Sequence, residues 1–149
     1  MGNALLEIKA KDVMTTALIT VTEDDLMATV EKLLLENNIN HIPVVDEDSK
    51  LLGILTKNDV QLLKDWATNL GLRTARKSND QILNSHTASD RMKDDLITIS
   101  PDDTLRDCVR LLQSNTFHAL PVTEGGKLVG IITTFDLLAI AYAETAPIQ

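Results

Sequence analysis

Apolar positions along this chain alternate between strand-like runs and helical spacing, and the whole succession occurs twice. Leu18 to Val21 is a short apolar run of strand type. Thr22-Glu23-Asp24-Asp25 follows, and Thr22 as a cap with acids in the first turn predicts a helix opening there. Met27, Val30 and Leu34, with Leu33 beside them, keep helical spacing until Asn37-Asn38. Two strands are predicted next, one ending in Val44-Val45 and one over Leu51 to Leu55, with Asp46 to Lys50 as a polar turn. Pro43 lacks a backbone donor and is expected at the start or edge of its strand. A helix from about Asn58 to Leu70 would place Val60, Leu63, Trp66 and Leu70 on one face, with Gly71 as its stop. Residues 1–12 read as a lead-in with helical character.

Residues 71–88 form a connection. Arg73, Arg76 and Lys77 precede Ser78-Asn79-Asp80-Gln81, a capping-box pattern that predicts a short helix to about Asn84. Then the first pattern restarts. Asp12-Val13-Met14 is answered by Asp90-Arg91-Met92, and Leu18 to Val21 by Leu96 to Ile99. Ser100-Pro101-Asp102-Asp103 stands for Thr22 to Asp25, with Pro101 at a first helical position. Leu105, Cys108 and Leu112 stand for Met27, Val30 and Leu34. Met14 and Met92 lie 78 positions apart, as do Pro43 and Pro121, whereas Gly53 and Gly130 lie 77 apart. One residue is therefore missing from the second polar turn, and an offset that slips only inside a turn marks a true repeat. Each repeat reads strand-helix-strand-strand-helix, which alone offers too little core to be comfortable, so two repeats are expected to bury each other. The expected architecture is α+β: two tandem β-α-β-β-α repeats packed with pseudo-two-fold symmetry, over 7–70 and 89–145, joined by a linker at 71–88.

Composition narrows the function. Hydrophobic residues make up 44% and aromatics only 3%, so the core must be aliphatic. The formal net charge of −8 disfavours nucleic acid and anionic lipid as partners. Cys108 is the one cysteine, which excludes an intrachain disulfide and a multi-cysteine zinc site. No apolar run approaches the roughly 18 residues of a membrane span, and the start of the chain lacks a signal pattern. A soluble, cytoplasmic protein is expected.

The candidate chemistry sits where the second hairpin strand meets a helix, at Thr56-Lys57-Asn58-Asp59 and at Thr133-Thr134-Phe135-Asp136. Two readings stay open. Thr and Asp at this spacing form a capping box. The same helix start also suits phosphate, and its carboxylate suits the two hydroxyls of a ribose. His41, His86 and His118 lack a metal-ligand spacing, so no metal site is expected. Cys108 reads as core, Trp66 as packing between repeats or at a dimer surface, and Asp24-Asp25 and Asp102-Asp103 as helix-start acids.

Val13-Met14, Ile19-Thr20-Val21, Asp24-Asp25, His41 to Asp46, Gly53 to Thr56 and Asp59, with their second-repeat counterparts, resemble the cystathionine-β-synthase (CBS) domain family in its tandem, or Bateman, arrangement. The resemblance covers about residues 7–145. It implies a regulatory module binding an adenosyl ligand, either an adenine nucleotide (AMP, ADP or ATP) or S-adenosylmethionine, in clefts between the repeats. It also implies a homodimer, a regulated protein partner and no required cofactor. By this resemblance one cleft would be lined by His41, Ile54, Thr56, Asn58, Asp59, Thr87, Met92, Phe117, His118 and Ala119. Ile54, Met92 and Phe117 would sandwich an adenine, and His41 would face phosphate. The other cleft would draw on Lys9, Met14, Ile39, Asn40, His41, Ala119, Ile131, Thr133 and Asp136. It departs from the pattern, because Ala119 replaces an imidazole and Phe135 stands at the position of Asn58. Lys9 could partly restore the missing charge. The alternatives are a ligand-independent dimerisation domain and a nucleotide hydrolase using Asp59 and His41. The absence of a clustered nucleophile, base and metal set argues against the hydrolase.

Overall fold

The computed structural model describes residues 4–69, 75–114 and 118–145. They form two compact units that cut across the repeats: unit 1 joins the residues up to Leu18 to those from Ile97 onward, and unit 2 is Ile19–Leu96. The lead-in of the first repeat therefore belongs to the unit built on the second.

Unit 2 is centred on an antiparallel hairpin, β1 (His41–Val45) and β2 (Leu51–Thr56), with His41 opposite Thr56 and Val44 opposite Gly53. Helices α2 (Met27–Glu36), α3 (Lys57–Asn69) and α4 (Ala75–Ser85) contribute to it. Its core gathers Val21, Met27, Val30, Leu34, Ile42, Val44, Leu55, Val60, Leu63 and Leu83. Unit 1 repeats the design with α1 (Ala10–Val13), α6 (Leu105–Ser114), the hairpin β3 (Ala119–Glu124) and β4 (Lys127–Thr133), and α7 (Thr134–Thr145). Its core is Ala10, Ile99, Leu105, Cys108, Leu120, Val122 and Ile132. Repeat-related positions such as Ile42 and Leu120, or Val44 and Val122, are all fully buried. The missing turn residue is explained by backbone geometry. Asp46 Oδ1 accepts from the N–H groups of Asp48 and Lys50 across a longer turn. Gly125 and Gly126 instead take φ of 60° and 81°, the left-handed geometry of a two-residue hairpin.

Three expectations are corrected. The strand over Leu18–Val21 is reduced to one parallel bridge, Val21 with Val44. Val21 donates to the Pro43 carbonyl at 3.1 Å and accepts from Val45 at 2.9 Å. The next bond of a parallel ladder would run from the nitrogen of residue 43 to the carbonyl of residue 19, and proline has no N–H. Pro43 thus lies in mid-strand and ends the ladder there. Ile99, Pro121 and Thr123 repeat the arrangement.

The helices after Thr22 and Ser100 begin later than expected, at Met27 and Leu105. Asp25 accepts from the Thr22 N–H at 2.7 Å and Asp103 from the Ser100 N–H at 2.8 Å, so these stretches close tight turns of their own. Pro101 sits in such a turn rather than in the helix. The helix expected to start at Ser78 begins at Ala75 and runs through it. Leu70, Gly71 and Arg73 lie outside the described residues.

Each unit is completed by a strap from the other repeat's lead-in. In unit 2, His86 accepts from the Met27 N–H at 2.9 Å. The Ala88 N–H donates to Asp25 at 2.7 Å, and Lys93 exchanges two 3.0 Å bonds with Ile54. Here α5 (Ala88–Arg91) forms the middle of the strap. In unit 1, Ile8 accepts from Leu105 at 2.8 Å and the Ala10 N–H donates to Asp103 at 2.7 Å. Thr15 exchanges bonds of 3.0 and 3.1 Å with Ile131. A glycine faces the methionine that ends each strap helix. A Cβ on Gly53 would lie 2.7 Å from Met92 Sδ, and one on Gly130 would lie 2.7 Å from Met14 Cγ.

Candidate functional site

The end of β2 feeds straight into α3, and Thr56 and Asp59 meet at this junction. Asp59 Oδ2 accepts from the Thr56 N–H at 2.8 Å and from the Thr56 hydroxyl at 3.0 Å, while the Asp59 N–H approaches that hydroxyl at 3.3 Å. This is the capping box foreseen by the first reading of these residues. Thr133 and Asp136 form it less completely, through bonds of 2.9 and 3.2 Å between backbone N–H and side chain.

The same Thr/Ser-to-Asp device recurs at Thr22 and Asp25, Thr87 and Asp90, Ser100 and Asp103, and Thr104 and Asp107. The cap bonds from Thr87 and Thr104 hold Asp90 and Asp107 below the ordinary carboxylate range. Pairing alone is therefore no ligand signature in this chain. Burial separates the cases. Asp59 is only 8% exposed and is the one buried charged residue among those described. Both side-chain bonds fall on Oδ2, which leaves Oδ1 as an acceptor without a recorded protein donor among the described residues.

Several other candidates of the first cleft cluster around this junction within unit 2. His41 lies half-buried across the hairpin from Thr56. Ile54, 7% exposed, is two residues before it on the same strand. Met92 rides on the strap over Gly53. Asn58 is exposed on the first turn of α3. The Thr87 hydroxyl is engaged with Asp90 at 3.2 Å and Ser89 at 3.0 Å. His118 and Ala119 belong to unit 1, and Phe117 lies outside the described residues.

Of the second cleft's candidates, unit 1 brings together Ala119 opposite Thr133, Ile131 two residues before Thr133, Asp136, and Met14 over Gly130. Ile39, Asn40 and His41 belong to unit 2. Lys9 is not held at this junction. It bridges to Thr104 and pairs with Asp102 at 3.4 Å, a partner the sequence reading did not identify. Lys11 meets the same Asp102 oxygen at 3.1 Å. Phe135 is 77% exposed.

Cys108 is fully buried, and burial pushes its thiol up to about 11, which suits a core residue and not a nucleophile. A groove of about 410 Å³ in unit 2 is lined by Thr22, Glu23, Asp24, Val45, Asp46, Glu47 and Asp48, a charge that repels phosphate. Trp66 is half exposed and shares α3 with the exposed Leu62, unlike Val60 and Leu63, which are buried. Phe135, Leu138 and Tyr142 are exposed along α7.

The CBS domain model matches residues 10–62 and 88–142. A CBS domain-containing protein of Dictyostelium discoideum is 28% identical over 144 residues, covering 96% of this chain and 97% of that protein. Among solved structures, CBSX2 of Arabidopsis thaliana in complex with AMP is 25% identical, with a TM-score of 0.75 over 93% of this chain and 98% of that one. The CBS domain pair of protein MJ0100, in complex with 5′-methylthioadenosine and S-adenosyl-L-methionine, is 25% identical, with a TM-score of 0.72 over 92% and 98%. The chain spans between about a quarter and a half of the length of several other curated relatives it matches.

Proposed function

The chain belongs to the CBS domain family, and from that premise we propose that it is a non-catalytic regulatory module that senses an adenine nucleotide or another adenosyl compound. The observation that carries this reading is Asp59. A carboxylate buried at a hairpin-to-helix junction, with one oxygen committed to the cap and the other without a protein donor among the described residues, suits the vicinal hydroxyls of a ribose. Ile54 and Met92 supply apolar surface beside it for a purine. The solved relatives named above, holding AMP in one case and 5′-methylthioadenosine with S-adenosylmethionine in the other, support the adenosyl part.

In this reading the site around Thr56 and Asp59 takes a phosphate-bearing ligand, with His41 toward the phosphate and Thr87, Asn58, Phe117, His118 and Ala119 completing it. The site around Thr133 and Asp136 takes a less charged adenosyl ligand. Its histidine position is Ala119, and Asp102 already holds the ammonium of Lys9.

Calorimetry against AMP, ADP, ATP and S-adenosylmethionine tests this. Binding of at least one is expected, with Asp59→Ala weakening it more than ten-fold at a small cost in stability. No heat with any of the four sinks the reading. A stability loss with unchanged affinity would leave Asp59 as a cap alone. Nucleotide turnover that His41→Ala abolishes would overturn the non-catalytic part.

The exposed Leu62, Trp66, Phe135, Leu138 and Tyr142 support a homodimer, and a regulated protein partner is part of the same proposal. They also favour a second reading, an assembly domain that dimerises without ligand. Sedimentation of the Trp66→Asp and Leu138→Asp variants, with and without AMP, separates the two. A cytoplasmic setting fits the buried lone thiol, and no described helix is long and apolar enough to cross a membrane.

A further inference from the structure

The two straps meet their hosts through the same backbone bonds, yet only one carries charge pairs to its host. On the strap of unit 1, Glu7 accepts from Arg106 at 2.7 Å, and Lys9 and Lys11 both reach Asp102 Oδ1, at 3.4 and 3.1 Å. Among the described residues, the strap over 86–93 in unit 2 has no ion pair to its host. The seats differ as well. The nearest neighbours of a Cβ on Gly53 include backbone, the Lys93 carbonyl, whereas the three nearest to one on Gly130 are all side-chain atoms of Met14.

We propose that Glu7, Lys9 and Lys11 with Asp102 and Arg106 form an ionic latch, and that it makes the docking of the strap over residues 7–15 responsive to ionic conditions while the strap over 86–93 stays shut. The charge pairs are solvent-exposed and therefore screened by salt, because the Debye length contracts to about 4 Å near 0.5 M. The backbone bonds common to both straps are not screened in this way. Opening frees the Ile131 N–H and carbonyl on the edge of β4 and lifts Met14 off Gly130. Met14 rides on this strap, so opening also withdraws one residue of the second adenosyl site; that consequence alone rests on the reading given above.

Amide hydrogen exchange on the full chain tests the latch without any ligand. Raising sodium chloride from about 0.05 to about 0.5 M should lower protection at Thr15 and Ile131 by about two- to five-fold, the range expected when exposed pairs are screened. Protection at Ile54 and Lys93 should not change. Asp102→Asn should produce the same loss at low salt and remove most of the further response to salt. Equal losses at both straps, no loss at either, or an Asp102→Asn variant that keeps the full salt response overturns the proposal. Failure of all four adenosyl ligands to bind would leave this result untouched.

Discussion

Unit 2 and unit 1 are built from one duplicated plan and differ chiefly in their accessory bonds. Each core residue of unit 1 has a buried counterpart in unit 2, which further buries Leu34, Val60, Leu63 and Leu83, and their hairpins share the bulge after Val44 and after Val122. The Thr56 hydroxyl donates to Asp59, whereas between Thr133 and Asp136 only backbone N–H groups donate. Conversely, α6 is capped by Thr104 with Asp107, while the N-cap of α2, Leu26, offers no side-chain cap bond. Duplication thus preserved what fills the interior, where any change in volume is costly. It left free the polar contacts at helix starts, where a lost bond is worth only about 1 kcal/mol and water can substitute.

Four expectations break or sharpen this comparison. Ile42→Ala and Leu120→Ala, at equivalent and fully buried positions, should each cost about 2–5 kcal/mol in denaturant unfolding. A large inequality would mean that the cores are less alike than their sequences. Gly53→Ala should cost about 1–3 kcal/mol by the same measurement, because its new Cβ meets the Lys93 carbonyl at 2.9 Å. Gly130→Ala should cost less, since the nearest atoms its Cβ meets belong to the Met14 side chain and not to backbone. Asp59→Ala should destabilise by about 1–2 kcal/mol and Asp136→Ala by about 0.5–1 kcal/mol, following the extra hydroxyl bond at the first.

The smallest effect concerns pH. Lys11 and then Lys9 hold Asp102 below its usual 3.8, and Asp102 holds Lys11 above its usual 10.5, with Asp12 and Glu124 acting on Lys11 in the same sense. A depressed carboxyl stabilises the fold above its ordinary value and loses that contribution as pH falls through the folded value. A raised ammonium stabilises below its ordinary value and loses that contribution as pH rises through the folded one. Strap protection at Thr15 should therefore be flat between roughly pH 4 and 10 and decline on either side, as hydrogen exchange corrected for intrinsic rates would register.

The hairpins, the helices after them and the core were legible because period-two and helical spacing report local burial directly. The junction at Thr56 and Asp59 was legible as both cap and candidate site, since spacing fixes the pairing but not the burial that sets Asp59 apart. Leu18–Val21 was misread as a full strand because propensity ignores the missing N–H on its neighbour, Pro43. The helix starts were misplaced because Thr22 and Ser100 close turns instead of helices. Hydrophobic spacing gave no sign of the strap exchange, because the contacts of Met14 and Met92 lie across the chain from their own repeats; only the family resemblance set Met92 with Ile54 and Met14 with Ile131. For the same reason Lys9 offered no sign that Asp102 would claim its ammonium.

Pro43 and Pro121 carry a last consequence. A chain with two near-copies of one β-hairpin risks pairing the wrong copies during folding, or recruiting strands from other molecules into fibres. In each copy one flank of the hairpin is held by the bridge to Val21 or Ile99, beyond which the proline withholds the next donor, and the strap occupies the opposite flank at Ile54 or Ile131. Both open margins are thereby denied to newcomers. Replacing either proline with an ordinary β-former would restore the donor and reopen that route to aggregation.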